Sequence, residues 1–71
     1  MGFLVWFRQF YQGQTNDTYA QIAENYGQCN YGTARTYILE LEKNGYIQIE
    51  NRAKRTQKFI VNENLYKEAV L

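Results

Sequence analysis

A dense group of basic side chains lies between residues 52 and 58. Four of the eight Lys and Arg residues of the chain fall there with no acid among them: Arg52, Lys54, Arg55 and Lys58. Cations gathered in so short a segment suit contacts with phosphate groups, and an arginine among them suits a minor groove. One or two charges are enough to keep the edge of a sheet from aggregating, so this cluster favours a binding role.

Arg35 is the second feature that suits nucleic-acid chemistry. It stands near the head of the helix predicted for residues 30–43, and its planar guanidinium can bond both O6 and N7 of a guanine. The alternative is an ion pair within the helix. However, Leu39 stands four residues on and Glu42 lies too far along the helix for an ordinary pair. Direct readout of a base is therefore the favoured role.

Small polar residues surround Arg35 in the first two turns of the same helix. Thr33 and Thr36 suit phosphate groups or a thymine methyl, and Gly32 lets the backbone approach a ligand closely. The candidate DNA-binding residues of this region, with one from the start of the preceding helix, are Thr18, Asn30, Tyr31, Gly32, Thr33, Arg35 and Thr36.

Two consecutive helices are predicted to position these candidates. Thr18 and Gln21 form a capping box that starts the first helix, and Gly27 ends it. The apolar stripe of this helix is Tyr19, Ile22, Ala23 and Tyr26. Asn30 is a suitable N-cap for the second helix, which runs to Lys43 before Asn44-Gly45 closes it. The core side of the second helix is Ala34, Ile38 and Leu41, with Tyr37 beside it.

The basic cluster is predicted to form the tip of a β-hairpin. Residues 46–50 and 56–61 show the alternation of two strands, with residues 51–55 as the loop between them. Apolar residues at alternate positions mark the buried face: Ile47, Ile49, Phe59 and Val61. Residues 65–70 then predict a short closing helix.

The apolar segment of residues 3–12 fits either a helix or a strand, and residues 12–17 predict a polar loop. As a helix, the segment is apolar nearly all the way round, so it is either buried on several sides, with Trp6 capping the core, or packed against a second copy. The candidate contacts of such a homodimer are Phe3, Trp6, Phe7 and Phe10, or else Leu65 and Val70 of the closing helix.

The runs "IAENYG" and "NYGTARTYILELEKNGYI" resemble the winged-helix part of GntR-type regulators and the DNA-binding heads of some plasmid and phage replication initiators. Ile22-Ala23-Glu24 is similar to the apolar-Ala-acid step of the family's second helix, and Gly27 to its turn glycine. Thr33-Ala34-Arg35 resembles the Thr-Val-Arg of the recognition helix, and Gly45-Tyr46-Ile47 resembles the exit into the wing. The effector domain of GntR-type regulators has no counterpart here, so ligand control is not carried over.

Composition excludes several other classes of function. With one cysteine and no histidine, the chain cannot form an internal disulfide or a Cys/His zinc site. Without histidine, serine or a Gly-rich phosphate loop, it is not expected to be an enzyme, and no cofactor or metal is expected. No apolar run approaches the ~20 residues of a membrane span, so we expect a cytoplasmic protein without a membrane partner.

Together these patterns predict a single α+β domain over residues 1–71. The expected fold is a small winged helix-turn-helix of three helices, a C-terminal β-hairpin wing and a short closing helix. The expected partner is double-stranded DNA, with helix 30–43 in the major groove and wing 51–58 on the backbone or in the minor groove. A small transcriptional regulator is the favoured function. The alternatives are the DNA-binding module of a plasmid or phage replication or maintenance protein, and a winged-helix protein–protein adaptor.

Overall fold

The structure, a computed structural model, describes residues 2–51 and 57–70, which form four helices and three short strands. The elements in chain order are α1 (Gly2–Tyr11), β1 (Gln14–Thr15), α2 (Tyr19–Tyr26), α3 (Tyr31–Lys43), β2 (Ile47–Glu50), β3 (Lys58–Val61) and α4 (Glu63–Val70). The predicted α+β class is confirmed, and so are the two helices expected after Thr18 and after Asn30. The first segment, for which helix and strand were both open, is a helix.

The three strands form one antiparallel sheet in the order β1-β3-β2. Ile47 lies opposite Val61 and Ile49 opposite Phe59, so the predicted alternation of the hairpin is confirmed. The strands are shorter than predicted: β2 begins at Ile47 and β3 at Lys58.

Strand β1 corrects the prediction that residues 12–17 form only a loop. Gln14 pairs with Ile60 and Thr15 with Phe59, while the Gly13 carbonyl accepts from the Val61 N–H at 2.7 Å. Gln12 and Gly13 both have positive φ, which turns the chain from α1 towards the sheet. Two polar residues are too few to show the alternation of a strand in the sequence. Strand β1 forms because these residues pair with β3.

The core lies where α1, α2 and α3 meet the sheet. Its buried apolar residues are Phe3, Leu4, Phe7, Ile22, Ala23, Ala34, Ile38, Ile47, Phe59 and Val61. Both helices of the α2–α3 pair bury an alanine, a side chain small enough for close packing of two helices. The predicted stripe of α2 is confirmed at its centre, while Tyr19 and Tyr26 are half-buried at its margins and pack against the core.

Polar contacts attach the last turns of α1 to the rest of the domain. The Arg8 Nε donates to Glu63 of α4 at 3.0 Å, and its guanidinium lies 5.7 Å from the centre of the Tyr66 ring. The Tyr11 hydroxyl donates to Asp17 at 3.0 Å and accepts from Asn25 at 3.0 Å. Burial raises the pKa of Tyr11 to about 12, so this hydroxyl remains a donor at pH values where an ordinary tyrosine ionises.

Gly45 provides the first test of this fold. Its φ is +85°, and a Cβ added there would stand 3.0 Å from Cδ1 of Leu65 in α4. We expect Gly45→Ala to lower the free energy of unfolding by about 1–2 kcal/mol, because both the backbone and the contact with α4 become strained. Urea denaturation measures the change. Gly2→Ala is the matched control, since a Cβ at Gly2 meets nothing within 4 Å. Equal stability of the two variants would contradict the assigned turn.

Candidate nucleic-acid interface

The leading end of α3 lies on the surface of the domain. Tyr31, Gly32, Arg35 and Thr36 are exposed, and Thr33 is half-buried. On the other side of the same helix, Ala34 and Ile38 are completely buried. The helix is therefore anchored by one face and offers the polar residues of its first two turns to solvent, as the sequence predicted.

Asn30 determines where α3 begins. It has an extended backbone, and its side-chain Oδ1 accepts from the Thr33 N–H at 2.9 Å. This bond satisfies one of the N–H groups that the first turn of a helix leaves without a partner. The predicted N-cap is confirmed, and it occupies the Asn30 oxygen, which leaves the amide nitrogen for a ligand.

The Arg35 side chain makes no hydrogen bond or ion pair with any residue of the described ranges. The alternative of an ion pair within the helix therefore has no support in that part of the chain. Thr36 is engaged differently, since its hydroxyl donates to the Gly32 carbonyl at 2.9 Å. Its methyl group and the lone pairs of its oxygen remain for a ligand.

Thr18 lies at the start of α2, where the predicted capping box is confirmed. Its hydroxyl accepts from the Gln21 N–H at 3.2 Å, and the Gln21 side chain accepts from the Thr18 N–H at 2.9 Å. The adjacent residue, Tyr19, brings this end of α2 to the leading end of α3, because the Tyr19 and Tyr31 rings meet edge to face at 5.8 Å.

The end of the β2–β3 hairpin nearest its connecting loop lies beside the same pair of helices. The Phe59 ring of β3 is 5.3 Å from the Tyr19 ring, so two successive ring contacts join Phe59 to Tyr31. Asn16, just before α2, also donates to the Gln57 carbonyl at 3.3 Å. Neither link was predictable from the sequence, since Tyr19 fits an ordinary core stripe and Asn16 an ordinary loop.

The basic cluster is only partly within the described residues. Lys58 begins β3, is half-buried and faces Glu50 of β2 across the sheet. Oppositely charged residues in such a position attract each other, and the phosphate contact of Lys58 stays a prediction. The other three predicted contacts, Arg52, Lys54 and Arg55, lie outside the described residues.

A separate aromatic surface lies on α1. Of the residues predicted to make a dimer, Phe7 is completely buried and Phe3 is 7% exposed, so both belong to the core. Phe10 is 53% exposed and stacks on the half-buried Trp6 at 5.1 Å. A groove of about 350 Å³, which Phe3, Tyr26 and Tyr37 help to line, lies between the start of α1 and α3. On α4, Leu65 is half-buried, and the side chain of Val70 lies outside the described part of the chain. The homodimer stays a prediction.

Comparisons with protein-family models, with curated proteins and with solved structures find no match to this chain. The resemblance to GntR-type regulators and replication initiators therefore stays a prediction from the residues that carry it.

Within the described ranges, no helix combines the length and apolar character needed to cross a membrane. The same ranges hold no group of three His, Cys, Asp or Glu side chains that could bind a metal ion.

Replacing Asn30 tests whether its side chain fixes the leading end of α3. We expect Asn30→Ala to lower the free energy of unfolding by about 1 kcal/mol, because the Thr33 N–H loses its acceptor. Asn30→Asp is the matched control and should retain the stability, since aspartate caps equally well. Thermal denaturation followed by circular dichroism compares the two variants. An Asn30→Ala variant as stable as Asn30→Asp would contradict the cap.

Proposed function

We propose that this protein binds double-stranded DNA as a small winged helix-turn-helix. The observation that carries the proposal is the exposed, polar leading end of α3, where the Arg35 side chain has no partner among the described residues and the loop-proximal end of the hairpin lies alongside. The succession α1-β1-α2-α3-β2-β3 supports it, because a helix pair followed directly by a hairpin is the order of elements that a winged helix-turn-helix needs. In such a domain the second helix of the pair enters the major groove.

The dimensions and chemistry of the two parts suit different regions of a duplex. A helix with its side chains is about 10–12 Å across, which fits the ~12 Å width of the major groove. Arg35 would read a guanine there, while Thr33 and Thr36 contact phosphates or a thymine methyl. The cations of the wing, Arg52, Lys54 and Arg55, would hold the adjacent backbone or enter the minor groove.

Transcriptional regulation is the process we favour, and a role in plasmid or phage replication or maintenance is the alternative. The two differ in the DNA that the protein protects in a footprint, which is a promoter for a regulator and an origin for an initiator.

A protein–protein adaptor is a further alternative. The aromatic groove between α1 and α3 is the observation that supports it, because exposed aromatic residues are common at protein interfaces.

The salt dependence of duplex binding tests the proposal against the adaptor. If about four to five phosphates are neutralised, log K should fall with log[salt] at a slope of about −4, because each contact releases a counterion. Fluorescence anisotropy of a labelled random duplex, measured across a range of salt concentrations, gives this slope. A slope near zero, or no binding at low salt, would contradict DNA binding and favour the adaptor.

Single substitutions separate base reading from phosphate contact. We expect Arg35→Ala to relax the sequence preference, with a loss of about 1–3 kcal/mol of discrimination at one base pair. Lys54→Ala and Arg55→Ala should instead weaken binding to all sequences alike and flatten the salt slope by about one unit each. Selection from a pool of random duplexes, followed by affinity measurements, compares the variants.

Lys43→Ala is the matched control for these variants, since Lys43 is an exposed cation at the trailing end of α3. It should change neither the preference nor the slope. If Arg35→Ala weakens every sequence equally, Arg35 contacts phosphate and the assignment of base readout is wrong.

A further inference from the structure

Tyr31 is an exposed aromatic residue held in place by a half-buried one. Its side chain is 53% exposed, yet its ring meets Tyr19 at 5.8 Å with an interplanar angle of 86°. Tyr19 is half-buried and rests on Phe59, which is completely buried. Aromatic pairs favour this edge-to-face arrangement, so the contact restricts the orientation of a ring at the surface.

The position of Tyr31 on α3 relates it to the residue proposed to read a base. Tyr31 stands four residues before Arg35, and residues at this spacing are neighbours on one flank of a helix. Tyr31 is the first residue of α3, so it lies at the margin of the surface that the helix offers. A phosphate beside the base pair that Arg35 reads is the nearest DNA group expected there, and tyrosine hydroxyls are common donors to phosphate oxygens.

We propose that Tyr31 is an uncharged clamp on the DNA backbone and that Tyr19 is its positioning residue. In this arrangement, which rests on the proposed DNA binding, the Tyr31 hydroxyl donates to a phosphate oxygen. The Tyr19 ring fixes the Tyr31 ring and, through Phe59, sets its position relative to the loop-proximal end of the hairpin. The register of α3 in the groove and the position of the wing are thereby linked.

The lack of charge gives this clamp a distinct signature. A lysine that contacts phosphate releases a counterion and contributes to the salt slope, whereas a neutral hydroxyl contributes to affinity alone. Tyr31→Phe should therefore raise Kd about five- to tenfold at every salt concentration and for every sequence, with the slope unchanged. An unchanged Kd, a changed slope, or a loss confined to some sequences would overturn the clamp.

A double-mutant cycle tests the role of Tyr19. Tyr19→Leu removes the ring that holds Tyr31, so Tyr31→Phe should cost less than twofold in that background, because the hydroxyl is no longer held in place. Tyr19→Phe should restore the full cost, since it keeps the ring. Additive costs in the Tyr19→Leu background would overturn the positioning role, because a merely structural residue would weaken binding independently of Tyr31.

Two controls keep the result interpretable. Tyr19→Met keeps an apolar side chain against Phe59 and replaces Tyr19→Leu if circular dichroism shows that variant to be unfolded. If neither variant folds, the result for the exposed Tyr31→Phe decides the proposal alone.

Wild-type protein that fails to bind duplex refutes the proposed function itself. Wild-type binding with the expected slope and an unaffected Tyr31→Phe refutes only the clamp.

Discussion

The packing of the buried Phe59 side chain of β3 against α2 is the contact on which the arrangement of the candidate interface depends. Phe59 is completely buried, pairs with both Thr15 and Ile49 across the sheet and supports the Tyr19 ring of α2. A small domain buries only about 60% of the surface that its unfolded chain exposes, so one such side chain is a large part of its core. Through Phe59, the hairpin and the helix pair are parts of one packed unit.

Local signals predicted the helices that carry the candidate interface. Thr18 with Gln21, Gly27 and Asn30 each act through bonds or backbone angles within a few residues, so their effects are legible in the sequence. The burial of Ala34 and Ile38, and with it the exposure of Arg35, follows from helical spacing in the same way.

Contacts between distant parts of the chain were not predictable in this way. Strand β1 exists because Gln14 and Thr15 meet β3, and nothing in their own types requires a strand. Arg8 and Glu63 form an ion pair across 55 positions of the chain. For α1, the spacing of apolar residues could not decide that Phe7 is buried while Phe10 is exposed, because apolar residues occupy nearly all of its faces.

The candidate interface likewise contains residues whose position follows from local sequence and residues whose position depends on distant contacts. The role of Arg35 was argued from its type and position, and the structure leaves it without a partner among the described residues. Lys58 faces Glu50 across the sheet, and this pairing depends on the register of the hairpin, which the sequence alone does not specify. Tyr19 likewise gains its link to Tyr31 from the angle between two helices, and a single sequence does not specify that angle.

The measurement that tests the central claim most directly is a titration of the isotope-labelled protein with a DNA duplex, followed by the backbone amide resonances. If the leading end of α3 and the hairpin face the DNA, the largest shifts should fall on residues 30–36 and 51–58, with α4 unaffected. Shifts confined to Trp6, Phe10 and the groove between α1 and α3, with residues 30–36 silent, would contradict the account.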